Sequence, residues 1–140
     1  ILEILNTKIK NMNAVINGFC WISKKDDPGD INKPKLITNE KNELVYMSRL
    51  PIPGFKEKKS EPSKYKKQVC IYAFTKQELK KFNKFGRKSK LEKLEDIEIL
   101  RFLELEKIVL MKETSPNSHA VDAPSDISKV EKALKKIKKI

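Results

Sequence analysis

Apolar positions along this chain recur with two periods in turn, and the alternation predicts helices and strands in succession. Ile1, Leu2, Leu5, Ile9 and Met12 fall at helical spacing, so the first dozen residues are expected to form an amphipathic helix that has lost its beginning. Ala14 to Ile22 is an apolar run rich in β-branched and aromatic residues, interrupted by Asn17-Gly18. It predicts a strand with a bulge or tight bend. The polar stretch from Lys24 to Pro34 contains Asp-Asp-Pro-Gly-Asp and reads as a loop. Lys35 to Thr38 and Glu43 to Ser48 are short strand-like runs around Asn39-Glu40-Lys41-Asn42, a pattern that predicts a β-hairpin. Residues 55–67 are lysine-rich and irregular, as expected of a flexible basic surface segment.

Gln68 to Phe74 is the most strand-like run, and its nearly continuous apolarity predicts a central strand covered on both faces. Thr75 with Glu78, and Ser89 with Glu92, have the spacing of capping boxes. The first should open a helix that turns Leu79 and Phe82 inward and stops near Gly86. The second should open a helix with Leu91, Leu94, Ile97, Leu100 and Leu103 along one stripe. Ile108 to Met111 predicts a further strand. Pro124 then opens a final helix lined by Ile127, Val130, Leu134 and Ile137, because proline suits the first helical position. Strands alternating with helices predict an α/β fold, a three-layer sandwich with the hairpin of residues 35–54 projecting as an arm. A two-stranded ribbon carrying Leu36, Ile37, Leu44, Val45, Tyr46 and Met47 cannot bury both faces alone, so the arm needs a partner surface.

Composition narrows the classes. The 140 residues suit one domain or part of one, and 39% of them are apolar, enough for a single core. A net charge of +12 points to anionic partners in general, but the lysines are scattered rather than interleaved with exposed aromatics, so no specific nucleic-acid partner is expected. Cys20 and Cys70 lie in apolar runs without metal-ligand spacing and read as buried thiols of a cytoplasmic protein. No run is long enough to span a bilayer, and no signal peptide is evident, so no membrane partner is expected. The chain begins without methionine inside a helical pattern, and reads as a fragment.

One corner carries candidate chemistry. Ala120-Val121 runs into Asp122 just before the Pro124 helix, so Asp122 sits where a strand gives way to a helix. A carboxylate there can cap the helix, or it can hold a metal against a nucleotide phosphate at the carboxyl end of a strand. His119, the single histidine, reads as a loop residue.

Four segments, in order, together resemble the CMP-Kdo synthetases, the cytidylyltransferases that activate the eight-carbon sugar acid of lipopolysaccharide. They are Leu44-Val45-Tyr46-Met47-Ser48-Arg49 with Pro51-Ile52-Pro53, then Ile71-Tyr72-Ala73-Phe74, then Leu91 to Arg101, then Val121-Asp122-Ala123-Pro124-Ser125-Asp126. The family's basic, serine-containing nucleotide loop does not occur in this sequence, so the resemblance is to the C-terminal portion, with the N-terminal nucleotide-binding part missing.

The resemblance implies a Rossmann-like nucleotide-diphospho-sugar transferase fold and a homodimer in which the hairpin takes part. It implies transfer of a cytidylyl group from CTP to a sugar acid, Kdo or a related ulosonic acid, with magnesium bound and pyrophosphate released. Asp122 matches a metal aspartate and is the expected catalytic residue. Arg49, Gln68, Tyr72 and Glu98 match positions facing the sugar. Gln68 stands where the family has histidine, Ile99 where it has glutamine, and Ala123 where it has threonine. On its own the chain is expected to be inactive. The competing expectation is a non-catalytic remnant that serves as a dimerisation or binding partner.

Overall fold

The computed structural model describes residues 1–23, 26–57, 65–115 and 124–137. Their elements follow the order α1 (Leu2–Lys10), β1 (Val15–Trp21), β2 (Lys35–Thr38), β3 (Leu44–Ser48), β4 (Lys66–Ala73), α2 (Lys76–Lys84), α3 (Lys90–Glu95), α4 (Leu100–Glu104), β5 (Val109–Glu113) and α5 (Pro124–Ile137). The strands form one mixed sheet in the order β3-β2-β4-β1-β5, parallel between β1 and β5 and antiparallel elsewhere.

Side chains alternate across β1, so its two faces feed two cores. Val15 and Phe19 join Leu36, Leu44, Met47, Ile97, Leu100, Phe102 and Val109 on one side. Ile16 joins Ile4, Ala14 and Ala73 on the other, beneath α1. The sheet therefore lies between α1 and the α3–α4 segment, the layered α/β arrangement the pattern predicts.

Both capping boxes form. Thr75 Oγ1 accepts from the Glu78 amide at 3.2 Å while the Glu78 carboxylate accepts from the Thr75 amide at 2.6 Å. Ser89 and Glu92 repeat the exchange at 3.3 and 3.0 Å. Gly86, with φ 70°, follows α2 in the left-handed conformation that glycine adopts without steric cost.

The β1–β4 register shifts between Asn17 and Gly18, from Asn17 opposite Tyr72 to Gly18 opposite Val69, so the extra residues of the bulge, Cys70 and Ile71, lie on β4. A Cβ on Gly18 would stand 3.3 Å from both the Val69 carbonyl oxygen and the Thr114 methyl, so the backbones approach closely there.

Several expectations are corrected. The hairpin does not project as an arm. β2 pairs with β4, and Leu36, Leu44 and Met47 are buried in the main core. Its tip also reaches β5, where the Met111 amide donates to the Asn42 carbonyl at 2.8 Å. The ribbon thus covers its apolar face with its own sheet.

The helical stripe of α1 is turned outward. Ile1, Leu2, Leu5, Ile9 and Met12 are exposed, whereas Ile4 and Lys8 are buried. Lys8 is drawn in because its ammonium meets both Glu78 oxygens at 2.8 Å and the Ala14 carbonyl at 2.6 Å. A buried charge is retained only with such partners.

The helix expected from Ser89 onward breaks at Asp96, which has φ 52°, and Leu94 is 71% exposed as a result. β4 is central but not covered on both faces. Cys70 is exposed, contrary to the buried thiol expected, because the bulge leaves it without a partner across β1. Leu79 likewise sits half in solvent.

Residues 58–64 of the expected flexible segment lie outside the described residues, but Lys66 and Lys67 belong to β4. Lys66 is accommodated there because its ammonium bonds the Thr38 hydroxyl at 2.7 Å and lies 4.9 Å above the Phe19 ring. Among the described residues no helix is long and apolar enough to cross a membrane.

Candidate functional site

Of the residues singled out in the sequence, three come together on one side of the sheet. Tyr72 and Glu98 line a cleft of about 320 Å³ whose other walls are Phe74, Leu79, Phe82, Ile99 and Phe102. Gln68 stands beside it, and its Nε2 donates to the Tyr72 hydroxyl oxygen at 3.1 Å and to Asn17 Oδ1 at 3.1 Å.

Asn17 is fully buried and completes this network. Its Nδ2 donates at 3.0 Å to both the Val69 and Ile71 carbonyls, which flank Cys70 where β4 leaves the ladder. The chain thus uses one amide side chain to satisfy an irregular strand, and that strand holds Gln68 and Tyr72 in register with the cleft. Burial raises the Tyr72 pKa well above that of a free tyrosine, with Cys70 and Glu98 adding to the shift. At neutral pH the residue is a phenol that accepts from Gln68.

The cleft wall is a run of stacked rings. Tyr72 and Phe74 have centroids 5.7 Å apart, Phe74 and Phe102 5.4 Å, and Phe82 and Phe102 5.1 Å. Arg101 closes the run with its guanidinium 3.8 Å from the Phe82 centroid. Both Glu92 oxygens accept from Arg101 at 2.6 Å, and this pair ties the start of α3 to α4 beneath the rings. The guanidinium beside it holds the Glu92 carboxyl below the usual carboxylate range, against the opposing effect of burial.

Arg49 lies elsewhere and is engaged with backbone. Its Nε donates to the Glu95 carbonyl at 2.7 Å, its Nη2 to the Asp96 carbonyl at 2.8 Å and its Nη1 to the Ile31 carbonyl at 2.9 Å. The last carbonyls of a helix have no partner within it, so Arg49 caps α3 and fixes the break that precedes Glu98. Glu95 reinforces the link, accepting from the Arg49 amide at 2.9 Å and from the Tyr46 hydroxyl at 3.2 Å. Lys35, fully buried, donates to the carbonyl oxygens of Asp30 and Arg49. Burial lowers its pKa.

Asp122 and His119 lie outside the described residues. Among the described residues no group of three or more His, Cys, Asp or Glu side chains could hold a metal ion. Magnesium takes about six oxygen ligands and usually keeps several as water, so a single chain carboxylate such as Asp122 is compatible with the donor chemistry. A second hollow, of about 370 Å³ at the start of α2, is lined by Lys76, Lys81 and Lys107 among others and contains none of the motif residues.

Sequence reasoning missed Asn17 and the Glu92–Arg101 pair as parts of the site. An asparagine inside an apolar strand run is itself a signal, since a buried amide must find partners. The Glu92–Arg101 pair had no such signal.

No protein-family model matches the chain. It is 37% identical over 113 residues, 81% of its length, to a 3-deoxy-manno-octulosonate cytidylyltransferase of Christiangramia forsetii, of which the match covers 45%. Its fold superposes with a TM-score of 0.84 on the structure of a CMP:2-keto-3-deoxy-manno-octonic acid synthetase complexed with CTP, at 23% identity, over 96% of this chain and 54% of that one. The chain spans about half the length of the relatives it matches. The four motif segments, the sequence match and the shared fold agree, and the chain belongs to the family of the 3-deoxy-manno-octulosonate cytidylyltransferases.

Proposed function

We propose that this chain is the sugar-acid side of a cytidylyltransferase that converts Kdo or a related ulosonic acid and CTP into the CMP derivative and pyrophosphate, for lipopolysaccharide or surface polysaccharide synthesis in the cytoplasm. The observation that carries the reading is the cleft lined by Tyr72 and Glu98, two positions of the family motifs, with Gln68 beside it and bonded to the Tyr72 hydroxyl. The sequence match supports it.

In this reaction the anomeric hydroxyl of the sugar acid attacks the α-phosphorus of CTP. The bond from that phosphorus to the bridging oxygen breaks, pyrophosphate leaves, and the hydroxyl proton is released. The obstacle is charge, since one anion must approach another. Asp122 is the residue of this chain that would hold magnesium, and the ion supplies positive charge where negative charge builds on the transferring group.

The remaining residues bind and orient. Tyr72 donates its phenolic proton to the sugar, Gln68 fixes the phenol's direction, and Glu98 accepts from a sugar donor. The stacked rings exclude water behind them. Arg49 acts on Glu98 by holding the α3–α4 break, and the two of its five N–H groups not used on carbonyls are those available to a ligand.

The active form is a homodimer joined at the hairpin edge. Val45, Leu50 and Phe55 are 53%, 65% and 42% exposed there, an apolar surface in keeping with a partner copy. Sedimentation as a monomer at tens of micromolar would count against that contact.

The function is tested in a chimera in which the preceding part of the Christiangramia forsetii relative is joined to Ile1. It should release pyrophosphate from CTP with magnesium and Kdo, and Tyr72→Phe and Glu98→Gln should each raise KM for the sugar acid. A chimera that folds and binds CTP but gives no release with any ulosonic acid refutes the reading.

A further inference from the structure

Three lysines converge on the second hollow without a counter-charge. Lys76 and Lys81 come from α2, and Lys107 from the segment before β5. Among the described residues no ion pair or side-chain hydrogen bond takes up any of the three ammoniums, and Lys107 is half-buried. A cation drawn partly out of water is costly unless an anion accompanies it.

The one acid in the lining, Glu78, does not supply that anion. Lys8 donates to both of its oxygens at 2.8 Å, and one of them also accepts from the Thr75 amide. The start of α2 is closed by its own capping box, so the charge of the hollow is that of the lysines.

Size and chemistry define the ligand. About 370 Å³ is room for a small molecule. Lysine is a point charge with rotatable donors and suits phosphate oxygens, and Asn13 and Gln77 add amide groups to the lining. A singly charged anion would answer one ammonium, whereas three call for several charges in one compact group. Nucleic-acid strands are held in grooves with aromatic rings on which bases stack, and no ring lines the hollow. The site is separate from the cleft, because α2 gives Leu79 and Phe82 to the cleft but Lys76 and Lys81 to the hollow.

We propose that the hollow binds a small polyphosphate group, either free pyrophosphate or the phosphate tail of a nucleoside triphosphate.

The test titrates the 140-residue chain with pyrophosphate, orthophosphate and CTP at physiological salt, following backbone amide resonances. Pyrophosphate should shift Asn13, Gln77 and Lys107 saturably. It should bind about fivefold tighter than orthophosphate, the gain from one further charge about 4 Å from an ammonium in water. Lys107→Gln and Lys81→Gln should each weaken it by a similar factor, and Lys81 is exposed, so that variant does not disturb the fold. Lys93→Gln, which removes an exposed charge outside the hollow, should leave binding unchanged. CTP binding at the same amides at least as tightly as pyrophosphate makes the occupant a nucleotide tail, and weaker binding makes it the free anion; both uphold the site.

An equal loss in Lys93→Gln, with shifts spread over all lysine-bearing surfaces, would show diffuse attraction and overturn the proposal. So would the absence of saturable shifts at Asn13, Gln77 and Lys107 at about 10 mM pyrophosphate, a concentration that detects even very weak binding.

Discussion

Replacing Arg101 by leucine should destabilise the chain far more than loss of a surface ion pair would. Glu92 has a side chain only 1% exposed and Arg101 12%, and the two carboxylate oxygens each accept from the guanidinium at 2.6 Å. In Arg101→Leu the carboxylate keeps the Ser89 amide at 3.0 Å as a partner but loses its counter-charge. Removing one member of a buried pair typically costs about 3–5 kcal/mol, because the other charge is left uncompensated. For a chain of this length that corresponds to a fall in Tm of roughly 10–20 °C.

Glu92→Gln in the same background should recover most of the loss, since a neutral amide still accepts from Ser89 and needs no cation. The coupling between the two sites should exceed about 2 kcal/mol. Acidification separates the effects further. In the wild type the carboxyl pKa is depressed below its ordinary 4.5, so its contribution is complete above that value and is lost as pH falls through the folded value. In Arg101→Leu the strongest influence that lowers the pKa is gone and burial is opposed only by the Ser89 amide and Lys88, so the carboxyl titrates higher than in the wild type, protonation relieves the variant and the gap between the two proteins narrows toward pH 4. Urea unfolding followed by fluorescence of Trp21, the single tryptophan, measures each case. A difference below about 1 kcal/mol that ignores pH would show that the pair behaves as a solvated one and would refute the argument.

Asn17→Leu removes the donors for Val69 and Ile71 and should cost about 2–4 kcal/mol by urea unfolding, the penalty of leaving one buried and one part-buried carbonyl unpaired. Arg49→Lys keeps the charge but cannot reach three carbonyls in one plane, so it should lower stability by about 1–2 kcal/mol; weakened sugar-acid binding with an unchanged melting temperature would instead make Arg49 a ligand contact. In the chimera, Asp122→Asn should lower turnover about a thousandfold, equivalent to about 4 kcal/mol of transition-state stabilisation, with a weakened dependence on magnesium and no change in melting temperature. Wild-type turnover would leave Asp122 as a helix cap alone.

The signals legible in the sequence were those that act over a few residues. The boxes at Thr75 and Ser89 formed because a hydroxyl and a carboxyl three positions apart reach each other's backbone amides whatever surrounds them. The bulge at Asn17-Gly18 and the hairpin around residues 39–42 were likewise readable from turn and bulge chemistry. The convergence of Gln68 and Tyr72 follows from their spacing on one strand with a bulge between them.

What tertiary structure alone decided was which of several locally acceptable options was used. A continuous helix from Ser89 onward satisfies the apolar periodicity, yet over nine residues it would turn Glu92 and Arg101 to opposite faces about 13 Å apart along the axis. They meet because Asp96 takes a left-handed conformation and Arg49, distant in sequence, occupies the carbonyls that the break exposes. The stripe on α1 was a sound amphipathic pattern, but the buried face was chosen by Glu78, 70 residues away, which holds Lys8 against the sheet. Periodicity records which residues share a face of an element. Which face is covered depends on the charges and carbonyls that the rest of the chain brings against it.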